Sequence, residues 1–116
     1  MDIDHFKSIN DGHGHDCGDM VLREFGRLLG ENAREIDIVG RFGGEEFLII
    51  LPNTDGIRAA IVAERVRKAA EDHVYKYREF LIRITVSIGI ASVPANPEVR
   101  NEQDLLKAAD TALYRA

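Results

Sequence analysis

Between residues 19 and 30, Leu22, Phe25, Leu28 and Leu29 recur at i, i+3, i+6 and i+7, while Arg23, Glu24 and Arg27 take the opposite face. This spacing predicts an amphipathic helix, with Asp19 as a reasonable N-cap. The residues ahead of it, Asn10-Asp11-Gly12-His13-Gly14-His15-Asp16-Cys17-Gly18, are dense in turn formers and read as a loop leading into that helix. Residues 38–42 and 47–51 are two apolar, β-branched or aromatic runs separated by Gly43-Gly44-Glu45-Glu46, the pattern of a tight hairpin. After the turn residues 52–56, Ile57, Ile61, Ala63, Val66 and Ala70 mark a second helix that fades near Asp72. Ile82, Ile84, Val86, Ile88 and Ile90 then alternate with small or polar residues, which predicts a single strand stopped by Pro94 and Pro97. Leu105, Ala109, Ala112 and Leu113 follow the candidate N-cap Asn101 at helical spacing and predict a third helix running to the chain end. A hairpin inside an otherwise alternating order argues for an α/β (α+β) fold, with helices flanking a mixed, mainly antiparallel sheet.

Composition narrows the class. The chain has 116 residues, 45% hydrophobic and 30% charged, which is enough for one core and one domain spanning 1–116. Fifteen basic residues against twenty acidic ones give a net charge of −5, the wrong sign for a nucleic-acid binder, so a polyanionic ligand would need help from cations. A single cysteine, Cys17, excludes an internal disulfide framework and suits a reducing, cytoplasmic compartment. No apolar run approaches a membrane span, so no membrane contact is expected of this domain even where a parent protein is tethered to one.

The candidate chemistry is acidic. Asp2 and Asp4 near the start, and Glu45 and Glu46 in the hairpin, supply hard oxygen ligands suited to Mg²⁺, although each pair also reads as solvated surface charge. The glycines beside Glu45 favour the first reading, because a missing side chain lets a ligand approach the backbone. Asn10 and Asp19 carry the donors and acceptors that could read a guanine edge. His13, His15 and Cys17 are zinc-type ligands, but their spacing lacks the paired pattern and no fourth ligand is evident. Arg34 and Asp37, at i and i+3, could form a local ion pair or grip a phosphorylated ligand, and spacing does not choose.

Taken together and in order, several blocks resemble the GGDEF family of diguanylate cyclases, here with a GGEEF turn. They are Asp2-Ile3-Asp4-His5-Phe6-Lys7 through Asn10-Asp11, then Gly14-His15, Gly18-Asp19, Gly43-Gly44-Glu45-Glu46-Phe47, Thr85-Val86-Ser87-Ile88-Gly89 and Ala109-Asp110-Thr111-Ala112-Leu113-Tyr114. The resemblance implies a fold similar to the palm of nucleotide cyclases and polymerases, and condensation of two GTP to cyclic di-GMP with release of pyrophosphate. By that likeness two Mg²⁺ (or Mn²⁺) ions are held by Asp2, Glu45 and the carbonyl of Ile3, and Glu46 assists at the ribose or the metal. Asn10 and Asp19 hold guanine, Phe6 and Lys7 lie along the triphosphate, and Gly43 and Gly44 leave room for the nucleotide. Arg34-Glu35-Ile36-Asp37 resembles the family's RxxD site for inhibition by the product. The likeness also implies a homodimer, since each protomer presents one GTP, and a sensory domain upstream. Family members begin well before Met1 and continue past Arg115-Ala116 to a Lys and an Arg, so the expected domain is an incomplete one, short of its first helix, most of its first strand and its C-terminal end. The alternative is a non-catalytic domain that binds cyclic di-GMP or GTP as a sensor.

Overall fold

In the structure, a computed structural model that describes residues 1–93 and 101–115, the chain runs through six strands and four helices. They are β1 (Asp2–Ile3), α1 (Phe6–His13), α2 (His15–Glu31), β2 (Ile38–Gly43), β3 (Glu46–Ile50), α3 (Gly56–Asp72), β4 (Tyr75–Tyr77), β5 (Phe80–Ile82), β6 (Val86–Ser87) and α4 (Glu102–Tyr114). The main sheet has the order β2-β3-β1-β6 with antiparallel pairing throughout, and β4 and β5 form a separate antiparallel pair. This is the α+β architecture that the sequence pattern predicts; the sheet, expected to be mixed and mainly antiparallel, is antiparallel throughout among the described residues.

One core joins the layers. Val21, Leu22, Phe25 and Leu29 of α2 pack with Ile3, Phe47, Val66, Ala70, Tyr75, Ile82, Ile84 and Val86. Phe25 meets Phe47 edge to face, with ring centroids 5.0 Å apart, a geometry that adds to the area both rings bury. Because Phe47 lies one residue past Glu46, the same packing that seats β3 in the core fixes the acidic turn at its start.

Several expectations are corrected. The stretch read as a loop is helical: α1 and α2 meet at Gly14, whose φ of 93° only glycine adopts readily and whose N–H donates to Asn10 O at 2.8 Å. Ile9, buried on α1, and Cys17, buried on α2, supply the packing that overrides the turn propensity of the residues around them. Asp19 is therefore no N-cap; it lies inside α2, whose N-cap position is Gly14. On α3 the buried face is Ala59, Val62, Val66 and Ala70, whereas Ile57 and Ile61 are 77% and 61% exposed. The helix begins at the N-cap Asp55, whose carboxylate accepts from Arg58 N at 2.8 Å.

The predicted strand over 82–90 keeps its alternation, with Ile82, Ile84 and Val86 buried between exposed Arg83 and Thr85, but its ladder is divided. Residues 80–82 pair with β4, and 86–87 pair with β1. A ladder extends only as far as its partner strand, and this run changes partners midway. The β4–β5 hairpin has no counterpart in the sequence reading, although Tyr75 and Tyr77 alternate with exposed Lys76 and Arg78. Asn101 caps α4 as predicted, its side chain accepting from Asp104 N at 2.9 Å. The stops at Pro94 and Pro97, and Ala116, lie outside the described residues.

Candidate functional site

β1 is two residues long, and its neighbours give it its interest. Asp2 is opposite Glu46 on one side and Ser87 on the other. The Ile3 N–H donates to the Glu45 carbonyl at 3.3 Å, and the Met1 carbonyl accepts from Phe47 N at 2.9 Å. These bonds bring Asp2, Ile3, Glu45 and Glu46 to one place from opposite ends of the first fifty residues. The Asp2 carboxyl is pushed above its ordinary 3.8, first by burial and then by the negative charges of Glu45 and Glu46, with Asp4 adding to them.

Asp4, the other member of the first acidic pair, is held differently. Its Oδ2 accepts from the Thr85 hydroxyl at 2.8 Å and its Oδ1 from the Ser87 hydroxyl at 2.7 Å, while its N–H donates to the Thr85 carbonyl at 2.9 Å. Both carboxylate oxygens are thus occupied by β6 and its approach, and Asp4 fixes the exit of β1. The next residue, His5, has a φ of 56°, an unusual left-handed turn for a side chain with a Cβ, and directs the chain into α1. Thr85 and Ser87 belong to a family block, but the sequence reading gives them no role at the site; their i, i+2 spacing on one face is the available signal.

The hairpin tip is shaped by an irregularity between Arg41 and Gly43, and by Gly44 with a φ of 52°. Arg41 Nε donates to the Gly44 carbonyl at 2.8 Å and braces the turn, a second role the sequence did not announce. A Cβ at Gly43 or Gly44 would meet nothing within 4 Å, so open space lies above the turn.

α1 continues the site. Phe6 is half-buried, Lys7 is exposed, and Asn10 is half-buried with its Oδ1 enclosed and lacking a hydrogen-bond partner. Asn10 and Phe6 both lie against Gly18 of α2, which brings them beside exposed Asp19. Two neighbourhoods therefore form, the carboxylates at β1–β3 and the Asn10–Gly18–Asp19 contact between helices, joined by the short link Asp4-His5.

Arg34 and Asp37 stand elsewhere. They precede β2, at the open end of the hairpin, and the six residues of β2 separate them from the Gly-Gly tip by about 20 Å at ordinary strand rise. Arg34 Nη2 donates to Asp37 Oδ1 at 2.8 Å, to the Pro52 carbonyl at 3.0 Å and to Thr54 Oγ1 at 2.9 Å, and the Arg34 N–H donates to Asp37 Oδ2 at 2.7 Å. The hydrogen bond from Arg34 holds the Asp37 carboxyl below its usual range. The local ion pair is formed, and it ties the pre-β2 turn to the turn after β3.

Among the described residues, no three His, Cys, Asp or Glu side chains gather as a ready-made metal set. His13 instead packs its ring on Phe80, and Cys17 is fully buried with its thiol pushed up by desolvation, so the zinc-type trio is not assembled. For Mg²⁺ the requirement is looser, since that ion is commonly held by one or two carboxylates and completed by substrate phosphate and water. Asp2, Glu45 and a main-chain carbonyl are donors of that type, and the Asp2 carboxyl is raised first by burial and then by its acidic neighbours.

Residues 1–116 match the family described as diguanylate cyclase, GGDEF domain. The chain belongs to the GGDEF domain family. Diguanylate cyclase A of Treponema denticola is 40% identical over 116 residues, all of this chain and 31% of that protein. The chain thus spans about a third of that relative's length. The GGDEF domain of DgcB from Caulobacter crescentus, solved in complex with c-di-GMP, superposes with a TM-score of 0.87 at 34% identity, over 98% of this chain and 67% of that one. The active GGEEF domain of a diguanylate cyclase from Vibrio cholerae gives 0.84 at 34% identity, over 99% and 71%. The GGDEF turn here is the Gly43–Phe47 segment, carried on the β2–β3 hairpin. No helix among the described residues is long and apolar enough to cross a membrane.

Proposed function

We propose that this GGDEF domain condenses two GTP molecules to cyclic di-GMP. The observation that carries the reading is the pairing of β1 with β3, which sets Asp2 against Glu45 and Glu46, with the Asp2 carboxyl still raised although the Met1 ammonium acts to lower it. In the reaction the 3′-hydroxyl of each GTP attacks the α-phosphorus of the other. Two phosphodiester bonds form, two phosphoanhydride bonds break, two protons leave the hydroxyls and two pyrophosphates depart.

Asp2 and Glu45, with the Ile3 carbonyl, would hold Mg²⁺ or Mn²⁺, two ions per site, and Glu46 would assist there or at the ribose. Such ions, when bound, acidify the attacking hydroxyl and neutralise charge developing on the phosphates. Asn10 and Asp19 recognise the guanine edge by amide and carboxylate. Lys7 offers its ammonium to the triphosphate beside Phe6, and the open space over Gly43 and Gly44 admits the nucleotide. A protein with a net charge of −5 can gather a triphosphate only where cations intervene, which agrees with this division of labour. Because one domain presents one GTP, the chemistry is assigned to two protomers face to face.

Arg34 and Asp37 are proposed as the product site. Support comes from their placement away from the carboxylates and from the c-di-GMP complex of the DgcB domain. A ligand phosphate or guanine edge would take over donors of Arg34 that now serve Asp37, Pro52 and Thr54. The test is incubation of the full-length protein with GTP and Mg²⁺ followed by chromatography. Cyclic di-GMP and pyrophosphate in a 1:2 ratio are expected; retained c-di-GMP binding without turnover would mark a sensor instead.

A further inference from the structure

Four glycines interrupt α1 and α2, of which Gly18 is buried, Gly26 half-buried, and Gly12 and Gly30 exposed. Glycine is penalised in a helix interior, so each invites a reason. At Gly12 and Gly30 an added Cβ would meet nothing within 4 Å, and at Gly26 it would make an ordinary 3.6 Å contact with Phe47. Gly18 differs. A Cβ there would overlap Asn10 Oδ1, approach Asn10 Cγ to 3.0 Å and approach Phe6 Cζ to 3.1 Å. Gly18 is itself buried, and its N–H is already given to the Gly14 carbonyl at 3.2 Å. What lies on it is the enclosed, unpartnered acceptor of Asn10.

We infer that Gly18 is a positioning residue for base recognition: its bare Cα is the shelf on which the Asn10 amide rests, and this contact fixes the direction in which the amide meets a guanine. An alanine at 18 has room only if the amide turns away from α2, with Phe6 yielding by a few tenths of an ångström. Helix α2 itself has no objection to alanine, so the consequence falls on the amide and its ligand rather than on the helix. The inference rests on the cyclase reading, which gives Asn10 its base.

The experiment measures binding of GTP and ATP, and KM and kcat for GTP, in the full-length wild type, Gly18→Ala, Asn10→Ala, the double variant and the control Gly26→Ala. Gly18→Ala is expected to lower the preference for GTP over ATP by roughly tenfold, raising KM more than it lowers kcat. Gly26→Ala is expected to match wild type. The double variant is expected to equal Asn10→Ala within about twofold, because the two residues act through one group. Should Gly18→Ala fail to fold, the double variant removes the overlapped amide: a folded double that discriminates like Asn10→Ala supports the inference, and an unfolded one overturns it. Unchanged discrimination in Gly18→Ala, or losses that multiply in the double, also overturn it while leaving the cyclase reading in place. A wild type that takes GTP and ATP alike overturns both.

Discussion

Two charged clusters flank the same hairpin and are built on opposite principles. At its tip, Asp2, Glu45 and Glu46 bring like charges together, and the Asp2 carboxyl is pushed up by burial and by its neighbours. At its open end, Arg34 and Asp37 neutralise one another through several hydrogen bonds, and the Asp37 carboxyl is held down. The open-end cluster contributes to the fold as it stands. The tip cluster sets like charges against one another, only partly offset by the Met1 ammonium, and a raised carboxyl in such a setting is a mark of functional sites. Proximity of charged residues is therefore not the informative quantity; the balance of sign and partners is.

The sharpest way to break this contrast is Glu45→Gln. It should reduce cyclic di-GMP formation by a factor of roughly 10³ or more, because one of two proposed carboxylate ligands is lost. The same change should leave the melting temperature unchanged or slightly higher, since it removes a repulsion rather than a bond. Near-normal turnover measured by chromatography would take Glu45 out of the metal site and collapse the distinction between the clusters.

Arg34→Ala probes the other end. Product inhibition should weaken by roughly tenfold in half-inhibitory concentration, as expected when a charge-assisted contact is removed. The initial rate at low product should stay at the wild-type value, because the site is a strand's length from the carboxylates. An inhibition curve unchanged from wild type would return the pair to a purely structural role.

Smaller effects should appear in pH-dependent melting of the metal-free protein. Asp2 has a raised folded pKa, so its stabilising contribution is present below its ordinary 3.8 and is lost as pH rises through the raised value. Asp37 is lowered, so its contribution is present above 3.8 and is lost as pH falls through the lowered value. Asp2→Asn should thus raise the melting temperature at neutral pH by about a degree or two, with the gain disappearing in acid; Asp37→Asn should lower it at neutral pH. Added Mg²⁺ should stabilise wild type and not Asp2→Asn. Equal Mg²⁺ responses in the two would show that the ion binds elsewhere.

The elements that were legible in the sequence are those whose pattern and packing agree. Phe25 and Leu29 on α2, the Gly-Gly turn between two apolar runs, and Asn101 ahead of α4 each announced their place. Legibility failed where tertiary contacts overrode local preference. Gly12, Gly14 and Gly18 read as loop residues, yet Ile9 and Cys17 bury on either side of Gly14 and pull the flanking residues into helices. Ile57 and Ile61 looked like the inner face of α3 because they are the largest apolar residues there, but small Ala59 and Ala70 allow the closer approach. At the site, the family blocks include Asp2, Ile3, Glu45 and Glu46, which the β1–β3 pairing brings together. The bonds of Asp4 to Thr85 and Ser87 join positions more than 80 apart, and no local pattern encodes them.

The close approach at Gly89 bears on how the molecule comes apart. A Cβ there would overlap the Leu113 nitrogen and the Ala109 carbonyl and stand 2.7 Å from Leu113 Cα, so α4 lies with its main chain directly on that segment. Yet α4 has no fully buried residue of its own. Among the described residues it is held by half-buried side chains and this close main-chain contact, and helices without a buried anchor open at lower cost than core elements. Its amides should exchange with solvent as one unit, ahead of α2, so that α4 behaves as a cover over the Gly89 segment. A larger residue at position 89 would hold that cover permanently ajar.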